Sequence, residues 1–146
     1  MANGDGEALE WLCAEGRYRH AGGRLQMRAV KLYADGALGS RGAALLAEYS
    51  DDPGNTGLLV TSAAALEAAA RKAQRCGVQV ATHAIGDRGN RLVLDDYAEV
   101  LGEAARSDHR WRVEHAQVAT LNDIPSFEKL HVIASMQPTH ATSDMP

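Results

Sequence analysis

Aromatic side chains are scarce in this chain, 5% of residues with a single phenylalanine, and only 2 cysteines and 4 prolines occur among its 146 residues. Two thiols cannot build a disulfide-dense secreted scaffold. Cys13 and Cys76 also lack the CxxC spacing of a zinc ribbon or redox motif. Both are read as free thiols of a reducing compartment, which points to the cytoplasm. Long apolar runs are missing as well, and the N-terminal MANGDGEALEW has neither a basic nor an apolar segment, so nothing reads as a signal peptide or a membrane span. Nor is there a basic stripe: the formal net charge is -4, with Lys and Arg scattered, which argues against nucleic acid as a partner.

What remains is ordinary globular composition, 45% hydrophobic and 23% charged, in a chain of about one domain's length. GEALEWLCAEGRY reads as a short amphipathic helix ended by Gly16. LQMRAVKLYADG reads as a strand with Leu25, Met27, Ala29, Lys31 and Tyr33 on one face and Val30 and Leu32 on the other, covered on both sides as in a parallel sheet. A long glycine-bearing loop with the turn DDPGN follows. The alanine-rich TSAAALEAAARKAQRCG has a cap at Thr61 or Ser62, basic residues in its last turn and Gly77 after it, and is the strongest helix of the chain. The remainder alternates: strand VQVATH, helix DRGNRLVLDDYAEVLGEAA, strand RWRVEHAQ, short helix TLNDIPSFEKL, strand HVIASMQP. Such alternation with short connections implies right-handed βαβ units and a parallel sheet.

Lys31, His83 and His115 share a position, each at or near the carboxyl end of an expected strand. In an α/β barrel such ends open onto the face where the active site is assembled. A single histidine there has an ordinary structural explanation; two on consecutive strands point to a metal site, since imidazole is the commonest metal ligand. Lys31 is out of place among Leu25, Met27 and Ala29, because burying an unpaired ammonium is costly. Its stem can lie on apolar surface with the amine at the rim. The alternatives are a base, a Schiff-base amine, or a carboxylated lysine bridging two metals. Asp87 is expected to cap the following helix and Asp35 to form a turn. GALGSRG departs from the GxGxxG dinucleotide fingerprint, and DDPGN arrives too soon for a full helix. A nucleotide-binding α/β module is therefore the weaker alternative to a loop over an active site.

Four motifs, VKLYADGALGSRGAAL, THAIGDRGN, RVEHAQ and SMQPTHATSDMP, in this order and at these intervals, resemble the amidohydrolase superfamily, in its amidohydrolase family 3 or exoenzyme-regulatory-like group. The match runs from about residue 25 to 146, with 1–24 as a helix and lead-in, and the whole is treated as one partial domain. The resemblance implies an α/β fold, a partial (β/α)8 TIM barrel, binding one or two divalent metals, often zinc, that activate water against the amide or related C–N bond of a small-molecule substrate. Lys31 would match the strand-four lysine, commonly carboxylated, His83 the strand-five histidine and His115 the strand-six histidine. Gln117 and His140 would shape the substrate pocket. The family's HxH on strand one and the aspartate ending strand eight have no counterpart here, and Asp144 is not offered as a substitute. The expectation is a stretch covering strands four to seven. Such a half barrel would expose two sheet edges and associate with itself. Alone, it would bind metal weakly or not at all and would be catalytically incompetent.

Overall fold

A computed structural model describes residues 1–3 and 6–143. In chain order the elements are β1 (Ala2–Asn3), α1 (Glu7–Glu15), β2 (Tyr18–Arg19), β3 (Gln26–Met27), β4 (Ala29–Tyr33), α2 (Ala63–Arg75), β5 (Gln79–Ala84), α3 (Asp87–Leu101), β6 (Arg112–His115), α4 (Ile124–Lys129), β7 (Ile133–Ser135) and α5 (His140–Ser143), with a 3-10 turn over Gly102–Arg106. Five strands form one sheet in the order β1-β4-β5-β6-β7, every neighbouring pair parallel. The helices α2, α3 and α4 each connect one of the last four strands to the next, which is the unit of a (β/α) barrel.

Local chemistry explains the main elements. The Ser62 hydroxyl accepts the Ala65 N–H at 3.3 Å and starts α2, and Lys72 and Arg75 occupy its last turn. Leu66, Ala70 and Ala73 of α2, with Val93, Leu94, Tyr97 and Val100 of α3, are buried against Val30, Leu32, Val80 and Val113 of the sheet. Val30 pairs with Val80, and Leu32 with Thr82, which pairs in turn with Val113, so these residues share the helix-covered face. Tyr97 packs edge-on against Trp111 at 4.9 Å between ring centroids, and its hydroxyl shares a 2.8 Å hydrogen bond with Thr82 Oγ1. That bond satisfies a phenol whose burial would otherwise be costly.

Three expectations are corrected. Leu25 to Tyr33 is not one strand: β3 pairs antiparallel with β2, and only β4 joins the main sheet. Nor is β4 covered on both sides. Lys31 and Tyr33 lie on the face opposite the helices, where Tyr33 and Ile133 are exposed, because that side is the concave lumen of a partial barrel. Cys13 and Cys76 are not free thiols; they form a disulfide with 5.0 Å between Cα atoms. Leu9 and Leu12 bury one stripe of α1 in the core, and this seats Cys13 beside Cys76, which follows Arg75 at the carboxyl end of α2. Sequence separation carries no sign of that proximity, and the inference to a reducing compartment loses its premise. No helix among the described residues is long and apolar enough to cross a membrane.

Candidate metal centre

His83 stands at the penultimate position of β5, in register with Tyr33 on β4 and Glu114 on β6. Lys31 lies two residues earlier on β4, on the same face, with its ammonium nitrogen buried, without a hydrogen-bond partner, and 4.8 Å from the Tyr33 ring centroid. Burial pulls the Lys31 amine below the usual lysine range, opposed by the negative charge of Glu114 and reinforced by Arg112. Burial likewise lowers His83, a carbonyl contact from Gly36 working the other way and the neighbouring His115 adding to the fall. Both groups are thereby biased toward the neutral forms that metal coordination requires.

Simple strand alternation would send His115 to the face opposite His83, since His115 pairs with Ala84 and Glu114 with His83. The backbone prevents this: His115 and Ala116 both adopt positive φ, 77° and 45°, a conformation non-glycine residues take at a cost of about 1 kcal/mol or more. The bend swings the ring back to the rim, 4.7 Å from His83 between centroids in an edge-to-face pair. His115 Nδ1 lies 2.9 Å from Gln137 Oε1, and its ring stacks on His140 at 5.8 Å. His140 is thus brought to the cluster, with a buried Nδ1 that has no partner. Gln117 follows at the end of the same turn and is partly buried. Asp144 lies outside the described residues. Among those described, no three His, Cys, Asp or Glu side chains converge so as to hold a metal ion.

Glu114 faces the lumen in register with His83, with Arg112 and Lys31 as its cationic neighbours. Burial works to raise its carboxyl, but hydrogen bonds from Arg112, at 2.6 Å, and from Ser135 hold it below the ordinary glutamate value.

Beneath the histidines lies a set of hydrogen bonds that the sequence reading did not foresee. Asp35, expected to be a turn former, is 2% exposed. Its carboxylate accepts the backbone N–H groups of Ala44 at 2.9 Å, Ile85 at 2.9 Å and Gly86 at 2.8 Å. The loop after β4 is thereby tied to the turn after β5. Asn90, fully buried on α3, donates to the carbonyls of Gly86 at 2.9 Å and Val118 at 3.0 Å, tying that turn to the segment after β6. The glycines of IGDRG have a matching reason. A Cβ on Gly86 would collide with the Ala44 carbonyl, and one on Gly89 would sit 2.7 Å from Asp35 Oδ2. Asp87 is not the helix cap, a place taken by Gly86; its Oδ1 accepts the Leu46 N–H at 2.8 Å and so holds the same loop. The spacing D-G and G-D-R-G-N was the available signal, but only close approach of the two loops gives it meaning.

The GALGSRG loop closes on itself, Gly36 N–H donating to the Gly42 carbonyl at 3.1 Å, and no helix begins between this loop and α2. A helix N-terminus facing the loop, which a phosphate cradle needs, is absent there. A concavity of about 420 Å³ between α3 and α4, lined by Leu94, Asp95, Gly102, Ser126 and Leu130, contains none of the candidate ligands.

A parallel sheet with crossover helices and histidines at adjacent strand ends defines a partial barrel of the metal-dependent hydrolase type. Comparison with known proteins agrees. The chain belongs to the amidohydrolase family, whose model matches residues 5–146. It is 41% identical over 120 residues to the protein LONG AFTER FAR-RED 3 of Arabidopsis thaliana, a match covering 82% of this chain and 21% of that protein. It is 36% identical over 126 residues to YtcJ of Bacillus subtilis, assigned as an amidohydrolase, covering 86% of this chain and 23% of YtcJ. Crystal structures of metal-dependent hydrolases from Pyrococcus horikoshii and Pyrococcus furiosus superpose with TM-scores of 0.78 and 0.79 at 37% and 34% identity. Each match covers 94% of this chain and 27% or 28% of the other. The chain therefore spans about a quarter of the length of these relatives.

Proposed function

We propose that this chain carries part of the active site of a metal-dependent hydrolase of C–N bonds, with Lys31, His83 and His115 toward one or two divalent ions, zinc in the first instance. The observation that carries the reading is the pair of imidazoles 4.7 Å apart at the ends of adjacent parallel strands, with an orphaned lysine amine buried on the same lumenal face. The donor set fits such an ion in kind: His83 is held toward neutrality, and a neutral Lys31 amine can take up carbon dioxide to become an anionic oxygen donor. When bound, the ion supplies Lewis-acid polarisation of a substrate carbonyl and lowers the pKa of water. The protein's own part is to hold the two imidazoles at the rim and to present His140 and Gln117 toward a small-molecule substrate.

Zinc titrated into the full chain by calorimetry, together with turnover of simple amides, tests the reading. Binding should weaken at least tenfold in His83→Ala and in His115→Ala. Saturable zinc binding that neither substitution alters would refute it.

A second reading, that the chain alone is an incompetent half barrel that self-associates, is favoured by its open margins. β7 is an edge strand carrying the exposed Ile133, followed by the exposed Met136, and Tyr33 of β4 is exposed on the same lumenal face. Unpaired edges without guarding charges invite pairing with another copy. Sedimentation at micromolar concentration should show dimers or larger species, and a stable monomer would count against this second reading.

A further inference from the structure

The carboxylate seated against the histidine pair does not belong to one of the expected ligands. Asp35 accepts three backbone N–H groups from two loops, and its Oδ1 also lies 3.5 Å from His83 Nε2. The same Nε2 lies 3.4 Å from the Gly36 carbonyl, one residue along from Asp35. The His83 ring is thus seated against two acceptors, both supplied by the Asp35–Gly36 dipeptide. A carbonyl oxygen can only accept, so the hydrogen that satisfies it must be on Nε2. The side chain of Asp35 is fully buried and that of His83 is 14% exposed, so little water competes for the contact. Gly89 and Gly86 leave room for the carboxylate and for the loop it grips, respectively.

We infer that Asp35 is a positioning residue for His83: by locking the turn after β5 onto the loop after β4 and placing acceptors against Nε2, it selects one imidazole tautomer and presents Nδ1 as the free ring nitrogen. Histidines that coordinate metals are commonly oriented in this way, through the ring nitrogen that does not bind, and losing the orienting partner typically costs 10- to 100-fold in metal affinity. The inference rests on the proposal that His83 is a ligand. Its first consequence, the tautomer, nevertheless exists in the metal-free protein.

Nitrogen-15 long-range correlation spectra of the metal-free full chain, with His83 assigned by substitution, read the tautomer directly. In the wild type His83 should carry its hydrogen on Nε2. In Asp35→Asn, which keeps the shape but offers an NH₂ where a carboxylate oxygen accepted, the ring should become a mixture of tautomers and zinc affinity should fall about 10- to 100-fold. Loss of thermal stability alone would not move the tautomer. A wild-type ring protonated on Nδ1 overturns the inference even if Asp35→Asn does not fold. So does an Asp35→Asn protein with an unchanged tautomer and unchanged zinc affinity. A fixed Nε2–H tautomer that Asp35→Asn disturbs, in a chain that takes up no zinc, upholds the role of Asp35 and strikes the metal reading instead.

Discussion

Replacing Asp96 by asparagine should make the protein more stable at neutral pH and leave it unchanged in acid. Asp96 sits on α3 in the seam with α2, beside Leu66, Ala70, Val93 and Tyr97, and its Oδ2 is buried with no partner. Burial, then the like charges of Glu67 and Asp95, push its carboxyl up to about 6, with Arg71 pulling weakly the other way. Since this lies above the value in an unfolded chain, the folded state binds the proton more tightly. Ionisation therefore costs stability: nothing below about pH 4, progressively more from 4 to 6, and the full amount above 6. A shift of about two units converts to about 3 kcal/mol. Asp96 is only partly buried, and solvent screening reduces the expectation to about 1 kcal/mol. Asparagine keeps the shape and removes the charge. Urea unfolding followed by circular dichroism should show the variant about 1 kcal/mol more stable at pH 7.5, a midpoint shift of about 0.5 M, and indistinguishable at pH 4. Other carboxyls, Asp51, Asp108 and Asp123 among them, are held low by arginines and tilt the wild-type curve the opposite way, so the difference between the two proteins is the quantity to read. A difference constant across pH, or a wild type more stable at pH 7.5, would refute the reasoning.

The Cys13–Cys76 disulfide closes a loop of 63 residues; chain entropy predicts that Cys13→Ala with Cys76→Ala lowers unfolding free energy by about 4 kcal/mol, and equal denaturation midpoints with and without reductant would show that the bond contributes nothing. Lys31→Met should stabilise the metal-free chain by about 1–3 kcal/mol, because it removes a buried donor with no acceptor, and a loss of stability in urea would mean that the amine is better satisfied than its surroundings indicate. Gly89→Ala places a methyl 2.7 Å from Asp35 Oδ2 and should cost about 1–3 kcal/mol through overpacking. A neutral effect on the thermal midpoint would show that the carboxylate yields without penalty.

Much of the fold was legible because local and global signals agreed. The alanine run with Ser62 before it and Gly77 after it could only be α2, and the β-branched run ending in His83 could only be a strand entering a turn. β4 was half legible: Val30 and Leu32 were rightly assigned to a buried face, but nothing in the alternation says that the opposite face is a lumen and not a second helical layer. The disulfide was illegible, since it depends on where α1 docks, a tertiary fact with no local trace. His115 was expected at the rim for an incomplete reason. Period-two counting places it on the wrong face, and only the positive φ at residues 115 and 116 returns it, a strained geometry that no propensity predicts. Asp35 and Asn90 were missed because residues that favour turns and caps are read as such by default. A side chain that accepts or donates between two loops looks the same in sequence as one that closes its own turn.

The carboxylate of Asp35 also has a kinetic signature. Amide hydrogens in surface loops ordinarily exchange with solvent quickly, because opening them costs little free energy. The amides of Ala44, Ile85 and Gly86 end on a buried charge instead of on water, and releasing any one exposes the acceptor of all three. In deuterium oxide these three loop positions should exchange with the slow, concerted behaviour of the central strands, so that the rim of the barrel opens as part of its core.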